Sequence, residues 1–239
     1  MRLTIFSLLG LLFFLSNGCV TVNKITRHDF GSGFYKLKRE GADPVSVYTN
    51  VIEDSIVVYS IIPEGKKETP DISSCLATKI NSIKPGDYFY KSCFVKNSVD
   101  VDLSTVLLKL RPSSKNVPNQ LSYNINAAMY CGLRKDFYKL IPYRSPINEE
   151  TSFVRQLGFD AGLFVGIGIT PINPSVTEGN EILEYDGIVF QKGIAGFVTI
   201  DRMSVGLTIG FDNLLDHNKN IWVYNNKPYF GLMIGILNF

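Results

Sequence analysis

The sequence predicts an all-β fold: an antiparallel up-and-down β-barrel of about eight strands, preceded by a small N-terminal β module. Three observations carry that reading. Met203, Val205, Leu207, Ile209 and Phe211 interleave with Ser204, Gly206, Thr208, Gly210 and Asp212, the two-residue period of a strand with one bulky face and one small, polar face. The division recurs upstream, where Leu163, Val165 and Ile167 alternate with Phe164, Gly166 and Gly168, and Leu121 to Leu133 alternate with Ser122 to Arg134. Much of the glycine, 20 residues in all, falls inside these segments. A greasy face opposite one too small and polar for an ordinary core predicts lipid outside and a packed interior.

The elements follow in order. Arg2, the apolar run Leu3 to Leu15, and Ser16-Asn17-Gly18-Cys19 make a separate unit whose apolar stretch has signal-peptide length and is too short to span a bilayer as a helix. Residues 1–18 therefore read as an export signal. The cleavage region resembles a bacterial lipoprotein signal, which makes Cys19 the site of lipid attachment and residues 19–32 a tether. Residues 33–85 form the N-terminal module: a hairpin of Phe34–Lys38 and Val45–Thr49, a third strand Ser55–Ile62, a polar loop to Asp71, and a short helix over Ser73–Ser82. Export would place Cys75, Cys93 and Cys131 in an oxidising compartment. Cys75 and Cys93, close in sequence and outside the clearest wall strands, are the candidate disulfide, while Cys131 reads as a small hydrophobe beside Met129 and Leu133.

Residues 86–239 form the barrel. Val99–Arg111 changes phase partway, which a bulge near Ser104–Thr105 would reconcile. Further wall segments are 120–134, 161–170, the hairpin of 186–200 and 202–211, and Pro228–Phe239. That gives six or seven, and bacterial single-chain barrels use even numbers from eight upward. One or two more strands must then come from Tyr88–Val95, Phe153–Phe159 or the early hairpin. Lys192 shares a face with Ile188, Phe190 and Ile194; a lysine facing lipid costs about 2–4 kcal/mol at mid-membrane and little at the edge. It is therefore expected near a rim, with a bulge at Gly193.

Composition bounds the chemistry. A net charge of +2 from 24 basic and 22 acidic residues supplies no basic face for nucleic acid. With only His28 and His217, sites needing several imidazoles are excluded. No cofactor, metal site or catalytic residue is assigned. Lys109, Arg111, Arg134 and Asp212, with Asn124, Asn126 and Thr208, fall on the inward face, where a narrow barrel would pair them as a structural network. Gly166-Ile167-Gly168 leads to Pro171 rather than to a third glycine and a helix, so it cradles no phosphate. The Asp/Asn-rich stretch 212–226 suits turns better than calcium. Trp222, Tyr224 and Tyr229 beside it suit an interfacial aromatic belt.

Phe239, ending an amphipathic strand, resembles the signal by which outer-membrane barrels are recognised for insertion. Together, the lipoprotein-like start, the β-rich lead, the Asp/Asn loop with Trp222 and Tyr224, and the glycine-punctuated final strand are similar to the uncharacterised outer-membrane β-barrel proteins and lipoproteins of Bacteroidota. That resemblance implies a fold and a location: the outer membrane, anchored through Cys19. The resulting expectation is a non-enzymatic barrel lipoprotein with the lipid bilayer as partner and a protein companion in an envelope complex. The alternative is a lipid-anchored, soluble lipocalin-like barrel holding an apolar ligand, which requires the bulky residues to point inward.

Overall fold

A computed structural model describes residues 30–52, 55–64, 67–114, 117–144, 146, 150–201 and 203–235. The export segment, Cys19 and Phe239 lie outside the described residues. Eleven strands join in one antiparallel sheet, so the all-β antiparallel class holds. They are β1 (Gly33–Lys38), β2 (Val45–Ile52), β3 (Ser55–Glu64), β4 (Lys67–Lys79), β5 (Cys93–Arg111), β6 (Gln120–Ser122), β7 (Asn126–Arg144), β8 (Glu150–Ile172), β9 (Tyr185–Ile200), β10 (Met203–Leu214) and β11 (Pro228–Gly235).

The order across the sheet is β11-β10-β9-β8-β7-β5-β1-β2-β3-β4, with β6 pairing β5 at its end. β11 also pairs with β5, from Phe230 opposite Leu110 to Gly235 opposite Ser104, so the pairing of β5, β7, β8, β9, β10 and β11 is cyclic. The ring thus has six strands where about eight were expected. Length explains the difference. Phe153–Phe159 is not an extra strand but the first part of the 23-residue β8, because its glycines are accommodated in register and no turn interrupts it. Cys93–Val95 likewise opens the 19-residue β5.

The N-terminal hairpin and third strand form as predicted, with Gly41 taking φ +72° between β1 and β2. The expected helix over Ser73–Ser82 does not form. Ile72, Cys75, Leu76 and Ile80 are spaced as one face of a helix, but β3 offers an unpaired edge and pairing with it prevails, so the stretch continues β4 as far as Lys79 before a single 3-10 turn, Ile80–Ser82. β1 pairs with β5 (Leu37 opposite Phe94), which carries the sheet from the module into the ring. One core spans both: Tyr35, Leu37, Val47, Ile56 and Val58 pack with Phe89, Phe94, Tyr138 and Leu140.

The phase change in β5 falls three residues later than predicted. Leu232 opposes Leu108 and Met233 opposes Val106, leaving Leu107 as the extra residue. Asn126 fixes the position: its Oδ1 accepts from the Val106 N–H and its Nδ2 donates to the Val106 carbonyl, both at 2.7 Å, so Val106 stays inside. Lys109 and Arg111 then point inward as well.

Candidate functional site: an apolar wall around an ionic interior

The wall faces the way its alternation predicts. Leu207 is 73% exposed and Thr208 3%; Leu163 is 64% exposed and Phe164 1%. Met203, Val205, Ile209, Phe211, Val165 and Ile167 are outward too, with Ile188, Ile194, Val198, Met129 and Leu133. The outward apolar run covers nine residues in β10 (Met203 to Phe211) and thirteen in β8 (Leu157 to Ile169). Thirteen residues extend about 41 Å along a strand, or roughly 31 Å of height at the tilt usual in barrels.

Inside, large rings face glycines. A Cβ on Gly206 would lie 2.6 Å from the Phe197 ring, and one on Gly210 would lie 2.5 Å from that of Tyr229. Six strands leave room for a ring or a side chain opposite it, not both, and this is why the inward positions are so often glycine. Val106, Ala128, Tyr130, Phe164, Ala195, Phe197, Tyr229 and Met233 fill the middle of the ring.

Two buried ionic clusters cap that apolar plug. Towards the β10–β11 end, Asp212 accepts from Lys109 Nζ at 2.9 Å and Arg111 Nη2 at 2.6 Å, while Arg111 Nη1 donates to Ser122. The Lys109 ammonium sits 4.6 Å from the centre of the Tyr229 ring, and the Arg111 guanidinium lies near Trp222 and Tyr224. Towards the N-terminal sheet, Arg134 binds Asp136 at 3.0 Å through Nε and Asp100 at 3.3 Å through Nη1. Asp160 is nearby and accepts from the Tyr130 hydroxyl at 2.6 Å; Gln156 donates to Asp136. Of the predicted inner residues, Lys109, Arg111, Arg134, Asp212, Asn126 and Thr208 are buried and Asn124 is half-buried, but Arg134 belongs to a separate cluster from Lys109, Arg111 and Asp212. Asp100, Asp136 and Asp160 were missed, although Asp100 and Asp160 share the parity of small inward neighbours and Asp136 that of Arg134. Every one of these carboxylates is engaged by a cation or a hydrogen-bond donor, which suits holding strands together.

Several local expectations change. Trp222, Tyr224 and Tyr229 are buried rather than belted at an interface. Trp222 and Tyr224 pack with Val117, Ile172, Val176, Val189 and Leu214 in a plug over that end of the ring, and burial pushes the Tyr224 hydroxyl pKa up. Lys192 is outward, yet it is the eighth of sixteen residues in β9, and the ladders to β8 and β10 run through Lys192 and Gly193 with no bulge. Gly193 opposes Gly210, so the tight spot is relieved by two missing side chains instead of an inserted residue. The row Val165–Lys192–Phe211–Pro228 does reach the ring's edge at the start of β11.

Cys75 and Cys93 are free thiols, not a disulfide: Cys75 lies on β4 and Cys93 on β5, with β1, β2 and β3 between them in the sheet. Cys131 is outward beside Met129 and Leu133, as expected. In the loop after β8, Glu181 accepts from the backbone N–H groups of Ile182 and Leu183 and from Asn218, which hold its carboxyl below the usual range. Asp216 caps the 3-10 turn His217–Asn220 and accepts from the Tyr185 hydroxyl. Among the described residues no group of acidic, histidine or cysteine side chains is arranged to hold a metal ion.

Fold and site thus define a class: an antiparallel all-β protein whose six-strand ring is apolar outside and filled by rings and ion pairs inside. Comparison with protein families, curated proteins and solved structures finds no match to any of them.

Proposed function

We propose that this protein is a non-enzymatic outer-membrane β-barrel lipoprotein, anchored through Cys19 and serving as a structural or accessory subunit of an envelope complex. The observation that carries the reading is the inverted facing of β7 to β11, with bulky apolar residues outward and charged residues buried within. Bulky apolar residues exposed side by side on β7, β8, β9 and β10 form a surface that soluble monomers rarely leave open, and it calls for a hydrophobic covering. Hydrocarbon provides one that fits the height of the band. The lipocalin-like reading requires Leu207 inside and Thr208 outside, the reverse of the arrangement found.

The native Cys131 thiol, outward in the apolar band, provides a test without engineering that face. In membranes, a water-soluble maleimide should label the exposed Cys75 and spare Cys131, while a lipophilic maleimide should label Cys131. Rapid labelling of Cys131 by the water-soluble reagent would reject a lipid-covered wall. A Cys131 shielded from both reagents would point to a protein partner on that face instead.

A further inference from the structure

The outer face changes character where the ring meets the N-terminal sheet. Along β7, Leu133 is followed outward by Lys135, Phe137 and Lys139, and along β8, Phe159 and Leu157 are followed by Arg155, with Lys135 opposite Phe159 and against the Phe137 ring. Lys38 of β1 opposes Cys93 of β5, Cys93 opposes Lys139 of β7, and Lys139 opposes Arg155 of β8, so four neighbouring strands present one outward row with three positive charges. Among the described residues none of the three is in an ion pair. Like charges directly across a ladder repel, and Lys139 against Arg155 is such a pair. A cleft of about 710 Å³ opens beside the row, lined by Lys38, Lys139, Arg39, Lys91 and Cys93, with Glu40 as its acidic member. Aromatic side chains border the row: the Phe137 and Phe159 rings meet edge to face, and Phe153 contacts both Tyr143 and the Arg155 guanidinium. Phe137 and Phe159 stand between the wall and the row, and Tyr143 and Phe153 beyond it, so the cations sit within an aromatic zone at the foot of the apolar band, as the phosphate region of a bilayer would require.

We propose that the Lys38–Lys139–Arg155 row and its cleft seat the phosphate of an anionic phospholipid whose acyl chains lie against the wall above. The site rests on the membrane reading. A phosphate among the three cations removes their mutual repulsion, and the adjoining apolar strands distinguish a lipid from a free anion. The row thereby sets the depth at which the ring sits, with the N-terminal sheet on the aqueous side.

The test uses full-length protein in mixed phosphatidylglycerol and phosphatidylcholine vesicles, extracted gently, with co-purified lipid measured by mass spectrometry. Wild type should retain phosphatidylglycerol over phosphatidylcholine. Lys139→Gln and Arg155→Gln should each reduce that preference about fivefold and multiply when combined. Lys139→Arg should keep it, as should Lys219→Gln at the opposite end. Unchanged preference in the double variant would overturn the site, as would displacement of the lipid by millimolar inorganic phosphate, which would assign the row to a free anion. Carbonate extraction of the Cys19→Ala protein from the same vesicles separates the two ideas: its release sinks the membrane reading, whereas a retained protein with no lipid preference sinks only the site.

Discussion

Asp212 illustrates how much of this protein rests on single buried groups. It is the one carboxylate shared by Lys109 and Arg111, and removing it leaves two cations without a counter-charge inside the ring. Asp212→Asn should therefore destabilise by about 3–5 kcal/mol, whereas replacing all three residues by apolar ones of similar size should cost far less. Urea titration followed by the fluorescence of Trp222, buried beside Arg111, would measure both. Gly210 sets a steric limit in the same place. Gly210→Val would drive a side chain into the Tyr229 ring and should lower stability by roughly 1–3 kcal/mol. Lys192 tests the covering of the wall: Lys192→Leu should raise stability in bilayers by up to about 2–4 kcal/mol, depending on its depth. Alternation placed Lys109, Arg111, Arg134 and Asp212 on the inner face. It could not say which would meet, because partners such as Asp212 and Lys109 lie 103 residues apart in sequence.

Among the elements, the wall strands were the most legible, since a period of two shows directly when one face is bulky and the other small. β4 and the bulge were not, because pairing opportunity decided both: an open edge on β3 for the first, the Asn126 side chain for the second. By residue type the aromatics of the loop before β11 suit an interface, but a narrow ring needs a plug, and Trp222 and Tyr224 supply it. The N-terminal sheet carries its own pH signature. Tyr35 donates to the Gly31 carbonyl at 2.6 Å, and burial raises its pKa to about 12 from 10. Its folded pKa lies above the unfolded one, so its contribution is complete below pH 10 and is lost as pH rises from 10 to about 12. Amide exchange in β1 and β2 should accelerate across that window, and Tyr35→Phe should flatten the change. Glu181 behaves oppositely. Its carboxyl is held low, so the order it lends to the loop of residues 173–184 is present above its ordinary value of 4.5 and fades as pH falls through and below it. Proteolysis of that loop at pH 6 against pH 4 would report the difference.

For the molecule as a whole, the pairing of six strands returns from β11 to β5 with the apolar face outward and leaves β4 as the free end of the sheet. The protein should therefore resist extraction by carbonate or urea from membranes even when Cys19→Ala removes the proposed anchor. Release of that variant into the soluble fraction would leave an anchored protein and reject an embedded one. The sequence by itself determined the strand class and the two faces of the wall strands, because side chains alternate along any strand whatever it pairs with. Only the tertiary structure decided the number of strands in the ring, the joining of the N-terminal sheet through β1 and β5, and the division of the interior into two ionic clusters. Those depend on register between distant segments, and register is set by which side chains fit across neighbouring strands, a property no single stretch of chain contains.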